Sequence, residues 1–143
     1  MKRILLTLTI IPALLLPGCK YEVSDAQITT GVSIGTTAGL RYAIKDAAKR
    51  TVVADYINVC ASALRTITGA PTPQQLTELL NKAVPDSIRA NYPELIAFVA
   101  PLVVSSYQIA YDKYGANAEK LYKALNAIAI GLETGAAPYI TKQ

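Results

Sequence analysis

NAEKLYKALNAIAIGLET, residues 117–134, decides the fold class: Leu121, Leu125, Ile128 and Leu132 recur at four-, three- and four-residue spacing, with Glu119, Lys120, Lys123 and Glu133 turned the other way. That period is the 3.6-residue period of an amphipathic helix and not the two-residue alternation of a strand. The helix is expected from Asn117 to about Thr134, with Gly135 and Pro138 ending it.

Apolar and alanine positions keep this spacing upstream. A helix over Asn91-Tyr92-Pro93-Glu94 to Tyr114 precedes it, and Gly115 suits a left-handed C-terminal cap. Pro101 lies inside it, where a lost N–H and a clash with the carbonyl of Ala97 predict a kink or an interruption. Residues 95–104, LIAFVAPLVV, are apolar all round, which reads as a central buried helix; ten residues cannot cross a bilayer. Gly69-Ala70-Pro71-Thr72-Pro73 is a break, and Thr72-Pro73-Gln74-Gln75 supplies an N-cap, a proline at the first helical place and a capping-box glutamine. The helix that follows, to about Ala83, turns Leu76, Leu79, Leu80 and Ala83 inward, and Asp86 to Ala90 adds one further turn after Val84-Pro85.

Ser24-Asp25-Ala26-Gln27 has capping-box form and opens the first helix, expected to reach about Arg50 through Ile28, Val32, Leu40, Ile44 and Ala47. A second helix, about Thr51 to Ile67, carries Val53, Ile57, Cys60, Leu64 and Ile67 on one stripe and leaves Asp55, Asn58 and Arg65 off it. No strong breaker stands near residue 50, so one longer bent helix is the alternative. The expected architecture is all-α: a compact bundle of four to five helices over residues 24–143, one domain on a short tether.

The first residues prescribe a different fate. Lys2 and Arg3 precede an apolar run from Ile4 to Leu16, then Pro17-Gly18-Cys19. This order is secretory, and the run is too short to span, being followed at once by Lys20 and Glu22. Leu16-Pro17-Gly18-Cys19 resembles the lipobox of bacterial lipoproteins, with an aliphatic residue three before the cysteine and a small one directly before it; Pro17 departs from the usual middle residue. The resemblance covers the first 19 residues. It implies cleavage of residues 1–18, a diacylglycerol on the Cys19 sulfur and an acyl chain on its amine, and hence a membrane-anchored protein of the bacterial cell envelope. The alternatives are an ordinary secretory signal and a cytoplasmic protein with an apolar first helix. Lys20 is not the aspartate that retains lipoproteins at the inner membrane of enteric-type bacteria, so in a Gram-negative host the resemblance implies the periplasmic face of the outer membrane.

Without residues 1–18 the chain has 125 residues, with 12 Lys and Arg against 10 Asp and Glu, which removes the electrostatic case for nucleic acid. The absence of histidine excludes Ser-His-Asp and Cys-His catalysis and His-ligated zinc; no metal and no cofactor beyond the lipid is expected. With Cys19 acylated, Cys60 has no partner for a disulfide and reads as a small core residue.

Three groups are candidate sites. Gly31, Gly35 and Gly39 recur at every fourth place and give one helix face without side chains, read as close packing within the domain, with a homo-oligomer seam or membrane insertion as alternatives. Tyr107, Tyr111 and Tyr114 form a stripe, continued by Tyr122, read as helix-packing residues with rim hydroxyls or as a partner-binding face. Lys45, Lys49 and Arg50 complement the end of the first helix, with anionic headgroups as the alternative ligand. Glu78, Glu94, Glu119 and Glu133 lie in polar or capping contexts and form no paired acid site.

The plan is similar to small helical lipoproteins of unassigned role in bacterial and phage-derived genomes, some of which exclude superinfecting phages. The functional expectation is a lipid-anchored, non-enzymatic module that binds a protein partner. The alternatives are a membrane-active or oligomerising helical protein using Gly31, Gly35 and Gly39, and a glycan-acting enzyme using one acidic residue.

Overall fold

The computed structural model describes residues 23–140. The signal segment, Cys19 and most of the tether therefore lie outside the described residues.

Among the described residues the fold has six α-helices and a closing 3-10 turn: α1 (Asp25–Tyr42), α2 (Ala47–Thr66), α3 (Pro73–Ala83), α4 (Asp86–Asn91), α5 (Pro93–Tyr114), α6 (Ala118–Ala136), then Ala137–Tyr139. The protein is all-α, with no strand among the described residues. Both capping boxes form: Ser24 Oγ accepts from the Gln27 N–H while the Ser24 N–H donates to Gln27 Oε1 at 2.9 Å, and Thr72 and Gln75 repeat the exchange at 3.2 and 2.8 Å. Asn117 caps α6 through the Lys120 N–H at 3.1 Å.

Two boundaries differ from expectation. The first helix ends at Tyr42, not near Arg50, and the second begins at Ala47, because the Asp46 carboxylate accepts the Lys49 N–H at 2.8 Å and caps α2. Arg50 braces this break by donating from Nη2 and Nε to the Ile44 carbonyl at 2.8 and 3.1 Å. At the other end, α6 runs through Gly135 to Ala136, so Gly135 is an interior, buried helix residue and not a stop.

The central helix is α6 and not the all-apolar α5. It packs on α1, α2 and α5, and buries Ala124, Ala127, Ala129, Gly131, Gly135 and Ala136 beside Leu121, Leu125, Ile128 and Leu132. Small side chains let neighbours approach it from several sides. Helix α5 is one-sided, with Val99, Leu102, Val103, Tyr107 and Ala110 buried and Ala97, Pro101 and Ser105 exposed. It continues through Pro101 without the expected interruption, the proline lying on the wet side where water can serve the carbonyl it leaves unpaired.

Helices α1 and α6 run parallel in a fixed register. The Thr29 hydroxyl donates to the Ala127 carbonyl at 3.1 Å and the Thr37 hydroxyl to the Gly135 carbonyl at 3.2 Å, each pair 98 residues apart. A Cβ added at Gly131 would lie 2.7 Å from the Thr29 oxygen, and one at Gly135 would lie 2.6 Å from the Ser33 oxygen. Thr29, Ser33 and Thr37 thus face Ala127, Gly131 and Gly135, small residues at every fourth place on both helices. Two of the threonines of α1, Thr29 and Thr37, poor helix formers by propensity, here donate hydrogen bonds to the backbone of α6, while the hydroxyl of the buried Thr36 has no partner among the described residues.

Candidate interaction surfaces

The glycines singled out in α1 do not act as one seam within the chain. Gly31 faces open space, with nothing within 4 Å of an added Cβ, whereas Gly39 lies under the Phe98 ring of α5, which any side chain there would overlap. Gly35, between them, is half-buried. The glycines that admit a helix are Gly131 and Gly135, and the Gly-x-x-x-Gly spacing at 131–135 was the available signal.

The tyrosine stripe divides in the same way. Tyr107 is fully buried and its hydroxyl donates to the Pro71 carbonyl at 2.8 Å, tying α5 to the loop before α3, so it forms no part of a partner-binding face. Spacing alone could not reveal that the 67–72 loop covers this end of the stripe. Tyr111 stacks at a tilt on it, with ring centroids 6.1 Å apart, and Tyr114 is half-buried with the Lys113 and Lys120 ammonium groups 5.0 and 5.1 Å from its ring centre.

Burial, reinforced by Tyr111, pushes the Tyr107 hydroxyl from 10 up to about 12. The folded chain therefore resists an ionisation that the unfolded chain accepts. Stability is full below pH 10 and falls as pH rises from 10 to about 12. Urea unfolding across this range should show that loss in the wild type and less of it in Tyr107→Phe. The variant should itself cost about 1 kcal/mol at neutral pH through the lost hydrogen bond.

Cys60 is 2% exposed, and desolvation raises its thiol to about 11, which suppresses the reactive thiolate. Glu78, Glu119 and Glu133 stand apart. Glu133 pairs with Arg65 and Glu119 with Lys123 at 2.8 Å; the Lys123 hydrogen bond holds the Glu119 carboxyl below its usual value. Glu78 borders a wide, shallow groove between α3 and α4, where Arg89 donates to the carbonyls of Asn81 and Val84 and so closes the end of α3. No cluster of three His, Cys, Asp or Glu side chains suited to a metal occurs among the described residues.

A surface that sequence reading missed runs across α2 and α6. Arg65 grips Glu133 with both terminal nitrogens, Nη2 to Oε2 at 2.7 Å, and donates from Nε to Asn126 at 3.3 Å. Tyr122 and Ile130, 48% and 40% exposed, occupy the same side of α6 by helical rotation. An exposed pair of this kind adds about 0–1 kcal/mol to stability, but it fixes a planar guanidinium beside an aromatic and an aliphatic side chain, the composition favoured at binding surfaces. Of the cations near residue 50, Arg50 is committed to the Ile44 carbonyl and to the Tyr139 ring, 5.5 Å away, while Lys45 and Lys49 are exposed.

Comparison with protein-family models, curated proteins and solved structures gives no match for the chain.

Proposed function

We propose that the protein is a lipid-anchored component of the bacterial cell envelope that acts without catalysis, by presenting its helical body to a protein partner. The observation that carries this reading is the order of the first 19 residues: two cations, an apolar run too short to span, and Leu16-Pro17-Gly18-Cys19. Two or more acyl chains give stable membrane residence where one is marginal. No described helix is long and apolar enough to cross a membrane. In a Gram-negative host the periplasmic face of the outer membrane is the destination this reading favours.

Recognition is assigned to Tyr122, Ile130 and the Arg65–Glu133 pair. The absence of histidine and the separation of Glu78, Glu119 and Glu133 support binding over chemistry. The membrane-active alternative rests on the face of Gly31, Gly35 and Gly39, of which Gly39 is covered by the Phe98 ring of α5, and insertion would also require α1 to leave its hydroxyl contacts with α6.

Metabolic labelling with a palmitate analogue tests the anchor. The wild type should be labelled and Cys19→Ala should not, with the variant appearing in the soluble fraction. Equal labelling of the two would end this reading.

A further inference from the structure

The outer face of α1 has features that neither packing nor the anchor explains. Rotation by 100° per residue brings Gln27, Thr30, Gly31, Ile34, Arg41 and Tyr42 into one sector of about 120°, opposite the side buried on α6. Ile34 and Tyr42 are 64% and 67% exposed, more than any other large hydrophobic side chain among the described residues. Gly31 leaves the backbone open between them and the tether. No acidic residue occurs from Ala26 through Lys45, and beyond the helix Lys45 and Lys49 extend the charge of Arg41. Arg41 lies 5.6 Å over the Tyr42 ring, a cation and an aromatic side chain together, as at membrane–water interfaces.

We propose that this face of α1 seats on the anionic surface of the bilayer that holds the Cys19 lipid, with α1 parallel to the membrane and still packed in the bundle. The inference rests on the anchor reading of the previous section. Four residues, and hence five Cα–Cα steps, separate Cys19 from the Ser24 cap, a reach of at most about 18 Å, so the start of α1 cannot leave the vicinity of the headgroups. Eighteen residues make α1 about 27 Å long, and laying it flat brings Arg41, Tyr42 and Lys45 down to the same surface. The tether makes the contact intramolecular, so a weak face suffices to set orientation. Without charge repulsion along the face, two exposed apolar side chains can enter the interface while the cations meet lipid phosphates. Seated so, the protein would turn α3, which packs on α2 and α5 and not on α1, away from the membrane.

The test uses the full-length lipidated protein in vesicles of equal parts phosphatidylcholine and phosphatidylglycerol containing a headgroup-located quencher. A thiol-reactive fluorophore is placed at Thr30→Cys or, as control, at Lys82→Cys on α3; Cys60 is buried and stays unlabelled. The label at 30 should be quenched several-fold more than the label at 82. In Arg41→Gln/Lys45→Gln the ratio of seated to free protein should fall about 25-fold, from about fivefold per cation near an anionic surface, with flotation unchanged. Equal quenching at the two positions in protein that floats overturns the seating alone, whereas failure to float overturns the anchor and the seating with it. Shielding at 30 that follows protein density and not vesicle charge would assign the face to a second copy and also overturn the proposal.

Discussion

Gly135→Leu should lower the unfolding free energy by about 3 kcal/mol. A Cβ there meets the Ser33 carbonyl oxygen and the Thr36 Cβ, each at 2.6 Å, and the first of these is backbone that cannot rotate away. Overpacking of this kind costs about 1–3 kcal/mol, and displacing α1 also strains the Thr37 bond to the Gly135 carbonyl, about 1 kcal/mol more. The gain in helix propensity on leaving glycine, under about 1 kcal/mol, is too small to reverse the sign. Gly31→Ala gives the opposite result. Nothing lies within 4 Å of its new methyl, so only the propensity term remains, a gain of about 0.5–1 kcal/mol. Urea midpoints for the two variants measure the contrast. A Gly135→Leu protein as stable as the wild type would mean that α1 and α6 do not meet in this register.

Leu76→Ala should cost about 3 kcal/mol, the range for deleting a buried leucine side chain, while Leu79→Ala should cost less than about 1 kcal/mol. Leu76 is fully buried, whereas Leu79, expected from the apolar side of α3 to turn inward, is 42% exposed. Thermal or urea unfolding of the pair separates them. Equal losses would place Leu79 in the core and rotate α3 from the position described.

Local chemistry made much of this fold legible. The Ser24–Gln27 and Thr72–Gln75 boxes and the Pro93 start each lie within four residues of sequence, and they mark the helix starts at Asp25, Pro73 and Pro93. The stripe of Leu121, Leu125, Ile128 and Leu132 is fully buried for the same reason: its period is written in one helix. Asp46 escaped notice because it sits among cations and resembles part of a solvated run, yet its carboxylate ends one helix and starts another. Hydropathy pointed to α5 as the centre because valine and leucine score strongly. The centre is α6, whose glycines and alanines score weakly and act by letting neighbours close in.

The candidate sites divide along the same line. The motif on which the proposed anchor rests, Leu16-Pro17-Gly18-Cys19, is contiguous in sequence and lies outside the described residues. The Arg65–Glu133 pair joins residues 68 apart, and no spacing rule connects them. Tyr107 and Tyr114 share a stripe and differ only in what lies over them, a loop carbonyl in one case and two lysines in the other. The exposure of Ile34 and Tyr42 likewise depends on which side of α1 the α6 helix takes.

Covalent lipid at residue 19 is the premise on which residence, orientation and partner access all depend. Mass spectrometry of the intact protein purified from its native cells tests it directly. The expected mass is that of a chain beginning at Cys19 and carrying diacylglycerol on sulfur and an acyl chain on the amine. A chain that retains Met1, or one with residue 19 unmodified, would contradict the account.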